Sequence, residues 1–423
     1  MTLHFSAARP WLLLACFALG LSALLAILLV LSRAPHVQEL FGLAPFFHTI
    51  LVLHVNFAVL VWLLSFIGFI WVNHTEEVYR RFHVFAFIIA VLGAVLMLCS
   101  PLVLDAKPIM SNYIPVIDSF LFFIGLCLFA FAISILAWPI FRHRAWDVLR
   151  LSAALWLVAL MTFIVHFFWL NHSEPQLFFE SLFWGGGHVL QFVYVFILGV
   201  VWRWNRTEHL AYFVGQKLSA LLITVLAFGF MLFLEPGQLE SRQAYTFLMQ
   251  AGMLLLLLPM LWWFFKEYSR NTIKNMEIGL VFSAVLIVLG VIIGLLIRDD
   301  SVIVTAHYHA MNAAITIAFM GLAYLFVQQY SRKLHALKWM RFQLQLYAMG
   351  MILYVLGMAG SGWLGVPRKS AVMLEDNSLE RISMGIMGLG GALSIVATLV
   401  FVGLIFYAFL GQYKTVGNPN EAK

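Results

Sequence analysis

Histidine recurs inside apolar stretches of this 423-residue chain in a pattern that could ligate metal. His54, His188 and the pair His307 and His309 each lie about six to eight residues within a long apolar run. A histidine surrounded by hydrocarbon is costly unless a partner binds it. Several at one depth are what axial ligands of metal centres in a helix bundle require.

The pair lies in Thr305-Ala306-His307-Tyr308-His309-Ala310-Met311-Asn312. Residues two apart on a helix point about 200° apart, so these two imidazoles serve two centres rather than chelating one ion. A flat macrocycle on each face suits that spacing, because a haem needs one or two axial ligands and an apolar slot. The plainer alternative is two polar side chains bonded to neighbouring helices. His54, in Leu53-His54-Val55-Asn56, stands at matching depth to His309. A six-coordinate haem held by His54 and His309 would transfer electrons, and His307 would hold a second haem with an open face. His188 follows Trp184-Gly185-Gly186-Gly187. Each glycine inside a helix costs about 1 kcal/mol relative to alanine, which implies close approach of another helix or a ring. His188 either faces the open side of the second haem or packs beside a glycine groove.

These side chains need helices to position them, and the composition supplies those. The chain is 63% hydrophobic and 10% charged, far from the quarter or so of charged residues in soluble proteins. Twelve apolar runs, at about 11–32, 46–72, 82–104, 116–140, 149–170, 180–203, 215–234, 244–266, 276–297, 303–327, 343–365 and 385–410, can each cross a hydrocarbon core of about 30 Å. They are too long for barrel strands. The expected fold is all-α, a polytopic bundle of twelve transmembrane helices forming one domain over residues 1–423, with a polar cytoplasmic tail at 411–423. The first run is too long for a signal-peptide core and is read as retained. With both termini and every second loop on one side, 18 of the 25 Lys and Arg fall there and 7 on the other. That bias puts both termini in the cytoplasm of a prokaryotic inner membrane. It also explains the net charge of +6 without a nucleic-acid partner. The three cysteines, Cys16, Cys99 and Cys127, show no metal-ligand spacing.

In this order, the residues resemble the catalytic subunit of the haem–copper oxidase superfamily, which includes cytochrome c oxidases, quinol oxidases and nitric oxide reductases. The resemblance covers all twelve spans, and the His-x-His of span ten is its strongest motif. It implies that His54 and His309 ligate a low-spin haem and that His307 ligates a high-spin haem. Trp184 and His188 match the family's Trp-x-x-x-His, whose histidine binds the active-site copper. Gly365-Val366-Pro367-Arg368-Lys369 is similar to the Gly-x-Pro-Arg-Arg element, which gives Arg368 a role beside the haem propionates. The resemblance thus implies two b-type haems and catalytic roles for His307 and His188. Electrons would come from a donor subunit, cytochrome c or quinol, and oxygen or nitric oxide would be the ligand.

The sequence departs from the family at the copper. The family's His-His pair about fifty residues after the span-six histidine is absent; that region reads Leu234-Glu235-Pro236-Gly237-Gln238-Leu239-Glu240-Ser241. Copper on His188 alone would be weak, whereas Glu235, Gln238 or Glu240 would suit a harder metal. His166 could approach this region from span five, with interfacial packing as the plainer reading. The family's tyrosine one turn after the span-six histidine is Phe192 here, with Tyr194 and Tyr245 nearby in sequence. Few acids lie deep in any span, so a carboxylate proton pump is not expected. Three readings stay open: a terminal oxidase or nitric oxide reductase-like oxidoreductase, a copper-deficient haem electron-transfer or gas-binding protein, and a secondary transporter with buried histidines.

Overall fold

The computed structural model describes residues 5–32, 42, 44–142, 148–171, 174–204, 210–268, 277–298, 301–330, 337–366 and 378–410. The fold is all-α, and twelve helices are long and apolar enough to cross a membrane. They are α1 (Phe5–Leu31), α2 (Phe47–Asn73), α3 (Arg80–Cys99), α4 (Phe120–Arg142), α5 (Val148–Trp169) and α6 (Pro175–Trp202). After these come α7 (Leu210–Phe233), α8 (Leu239–Tyr268), α9 (Ile278–Leu295), α10 (Val302–Tyr330), α11 (Leu337–Trp363) and α12 (Ser378–Phe409). Helices satisfy every interior backbone group within one segment, which lipid demands of a spanning chain. The protein is a multi-pass membrane protein.

The chain forms two compact units, Met1–Arg270 with α1 to α8 and Asn271–Lys423 with α9 to α12. In unit 1, α3 packs on α4, α5 on α6, α1 on α2, and α8 on both α6 and α7. In unit 2, α11 packs on α12, and α10 packs on α9 and α11. Small residues permit the closest of these contacts. A Cβ on Gly93 of α3 would lie 2.6 Å from the Gly125 carbonyl oxygen of α4, so the two backbones meet directly. Such approach is the usual basis of helix association in lipid, where burial of apolar surface gives no preference for protein over acyl chain.

The helices that carry His54, His188, His307 and His309 are the most enclosed. Within the most apolar stretch of each, 72% of α2, 83% of α6 and 83% of α10 is buried, against at most 56% elsewhere. A helix that is apolar all round and carries buried polar groups belongs in such a position.

Several expected boundaries differ, most of them because helices begin before the apolar run does. The apolar run predicts a fourth span from residue 116, but Val116–Asp118 is a strand (β2) paired antiparallel with Lys107–Ile109 (β1), and α4 starts only after it. The Ser119 carbonyl accepts the first helical bonds, from the Phe122 and Phe123 amides at 3.0 and 3.2 Å. Ile114, Val116 and Ile117 are buried, so hydropathy alone runs unbroken from hairpin to helix. Similarly, α6 begins at Pro175, five residues before the apolar run at 180, because proline suits a first helical turn.

Candidate functional site

In unit 2, α10 sends its two imidazoles to different neighbours. His307 turns towards α9, where its Nδ1 donates to the Gly290 carbonyl at 2.8 Å. Gly294 makes room for it; a Cβ there would lie 2.8 Å from His307 Nδ1. His309 turns towards α11, with its ring centroid 5.1 Å from that of Tyr354 at 63°. Its Nδ1 donates to the Thr305 carbonyl one turn back, also at 2.8 Å. In both rings the Nδ1–H is committed to a carbonyl, so Nε2 carries the lone pair. Among the described residues, Nε2 of neither ring makes a hydrogen bond. Ligating histidines generally donate their other ring N–H to a carbonyl or carboxylate in this way.

In unit 1, His54 is seven residues into α2 and faces α1. Its Nδ1 donates to the Ser22 carbonyl at 2.9 Å, with Ser22 Oγ at 3.1 Å. Two residues later the helix loosens into a π segment, Asn56–Val61. Such segments occur often at functional sites. Asn56, 1% exposed, donates through Nδ2 to the carbonyls of Val52 and Pro115, at 2.8 and 2.7 Å. The bonds of His309 and His188 reach back one turn on their own helices and need no tertiary partner. Those of His54 to Ser22 and His307 to Gly290 are different, since they join separate helices and fix each ring by tertiary structure.

His188 is 13 residues into α6 and 2% exposed. Its Nδ1 donates to the Trp184 carbonyl at 2.6 Å. Its Nε2 accepts from the Tyr113 hydroxyl at 2.9 Å. Both nitrogens therefore have partners. The three glycines before it each admit a ring. A Cβ on Gly187 would overlap the Tyr113 ring, and one on Gly186 the Phe163 ring. One on Gly185 would lie 2.8 Å from both His166 and Tyr245. The close approach expected of the glycines is present, and it is made by aromatic side chains of the protein. Trp184 donates through Nε1 to the Arg242 carbonyl at 3.2 Å, and the Arg242 guanidinium stands 5.3 Å from its ring centroid.

A copper ion at His188 does not fit these donors. The single imidazole already accepts a phenol hydrogen bond, and copper sites use several nitrogen ligands. Glu235, Gln238 and Glu240 are exposed around the α7–α8 turn. Among the described residues, no three His, Cys, Asp or Glu side chains converge as a metal site. His166 lies in the last turn of α5. It is 1% exposed beside Tyr245, with a ring-centroid separation of 6.0 Å.

Two expectations fall outside the described residues, namely Arg368 and the tail 411–423. Of the element containing Arg368, Gly365 ends α11 with φ +88°, and the Val366 carbonyl accepts from the Val302 amide at 3.0 Å. Sequence reasoning missed Tyr113, Asn112, Ser22 and Arg242. Tyr113 lies in an aperiodic loop, so no pattern marks it. Ser22 is one small polar residue in an apolar run, where the default reading is helix packing.

No protein-family model matches the chain. It is similar to an uncharacterized protein of Rickettsia prowazekii, 28% identical over 94% of each chain. It is also similar to an uncharacterized protein of Aquifex aeolicus, 26% identical over 75% of this chain and 84% of that one. Both organisms are bacteria, in keeping with a prokaryotic membrane protein.

Proposed function

We propose that the chain is a membrane haem oxidoreductase resembling haem–copper oxidase catalytic subunits, with His54, His307 and His309 as iron-ligating side chains. One observation carries this reading: two imidazoles two residues apart leave α10 on different sides, each held by a carbonyl so that Nε2 is its ligating atom. Haem, when bound, supplies one-electron redox chemistry and, at a five-coordinate iron, a position for a diatomic such as oxygen or nitric oxide. The protein's part is to fix ring angle and tautomer. The Gly290, Thr305 and Ser22 carbonyls hold the Nδ1 protons, which strengthens each Nε2 as a donor. Most of the apolar stretch of α2, α6 and α10 is enclosed, while His54, His307 and His309 are half-buried.

A second reading is favoured by the Tyr113–His188 bond. With His188 engaged by a phenol, the protein is a copper-free electron-transfer or gas-binding relative without oxidase turnover. A pyridine haemochrome spectrum of the purified protein, with iron and copper counts and a reduced-plus-carbon-monoxide difference spectrum, tests both. Two haem irons and a carbon monoxide signal are expected. Copper below a tenth of the iron, with no oxygen consumption, selects the second reading. A colourless protein overturns both and leaves the secondary transporter.

A further inference from the structure

Between β1 and β2, the connection from α3 to α4 lies against α6. Three contacts trace it. The Met110 carbonyl accepts from Gln176 Nε2 at 3.1 Å, Asn112 Nδ2 donates to Glu180 Oε1 at 2.6 Å, and the Tyr113 hydroxyl donates to His188 Nε2 at 2.9 Å. Gln176 to His188 is 12 residues of one helix, about 18 Å. The Tyr113 side chain covers the last part of that path. Non-helical backbone at such depth is tolerated in a membrane protein only where it is buried in protein or lines a wet cavity.

Tyr113 is held there against its backbone preference. Its φ is +67°, the left-handed region that a bulky aromatic rarely enters and that costs about 1–3 kcal/mol. Docking offsets that cost. The ring fills the notch left by Gly187, meets Trp184 edge-on at 6.0 Å, and lies 4.9 Å from the His188 ring. Tyr113 itself is half-buried, whereas His188 is 2% exposed. The phenol therefore stands between His188 and the surface at the end of unit 1 where α6 begins.

We propose that Tyr113 is a removable plug in an access path along α6, and that its withdrawal opens His188 Nε2 to a small hydrogen-bond donor no wider than a phenol. The entrant must donate, because the Nδ1–H of His188 is committed to the Trp184 carbonyl and Nε2 can only accept. The plug rests on contacts within unit 1 and does not require bound haem.

Diethyl pyrocarbonate modification of the full-length purified protein, read at each histidine by peptide mass spectrometry, tests the plug. His48, exposed near the start of α2, is the reference. In the wild type, His188 is expected to react at least tenfold more slowly than His48. Tyr113→Ala should raise the His188 rate at least tenfold, and added p-cresol should restore protection by refilling the slot. Tyr113→Phe keeps the ring and loses only the hydrogen bond, so a rise of at least threefold is expected even if the alanine variant does not fold. A Tyr113→Phe rate equal to wild type overturns the plug. So does a His188 as reactive as His48 in the wild type, or an exposed His188 that p-cresol fails to protect. The readout is independent of the haem spectrum, so each reading can fail alone.

Discussion

An imidazole can ligate through Nε2 only when its proton sits on Nδ1, and the residues that set that proton are backbone carbonyls here. This makes His307 and His309 separable. If they ligate different irons, His307→Ala should abolish the carbon monoxide difference spectrum and lower haem content by about half. His309→Ala should lower haem content similarly while leaving a carbon monoxide signal. Equal loss of that signal in both variants would contradict separate roles. The glycine notch gives a second test at this scale. Gly187→Ala places a methyl against the Tyr113 ring and should cost about 1–3 kcal/mol, read as a lower thermal midpoint. Gly229→Ala in α7 meets nothing within 4 Å and should leave the midpoint unchanged or raised. The histidines were legible in the sequence because a titratable group in an apolar run stands out. Their settings were not. Tyr113 reaches His188 from 75 residues away through a loop without periodicity.

Helices were legible as elements because about twenty apolar residues in succession have no other solution in lipid. The exceptions are where apolarity and helicity part. Val116 and Ile117 are apolar and buried as in a span, yet Val116–Asp118 pairs as a strand. The π segment Asn56–Val61 left no trace in hydropathy, since one extra residue per turn does not change composition. Its position after His54 gives it a consequence. The segment sets the rotation of His54 and Asn56 relative to the fully buried stretch Trp62–Asn73. Deleting Val59 should convert the segment to regular α-helix and swing the first two turns by about 100°. Helical content by circular dichroism should persist, while haem content falls by at least half. Unchanged haem in a folded deletion variant would show that the bulge does not aim His54. At the α3–α4 contact, Gly93→Leu must push two backbones apart and should lower the thermal midpoint by several degrees.

At the scale of the whole molecule, the unequal distribution of Lys and Arg predicts which side of the membrane Tyr113 faces. With loops alternating between the two sides, 18 of the 25 basic residues are expected on the side of the termini. The cost of moving such charges through the membrane during insertion predicts that this side is the cytoplasm. That arrangement predicts that the β1–β2 hairpin faces outward and that the proposed plug opens outward. Single cysteines test this directly. Asp105, at the start of the hairpin segment, and Glu76, between α2 and α3, are both exposed and fall on opposite sides. Cys16 is buried, and Cys99 and Cys127, which lie within α3 and α4, are replaced by serine in the background. Asp105→Cys should react with a membrane-impermeant maleimide in intact cells. Glu76→Cys should react only after permeabilisation, at a rate then comparable to Asp105→Cys. The reverse pattern would invert the protein, place His188's access path on the cytoplasmic side, and require any small donor that reaches it to come from within the cell.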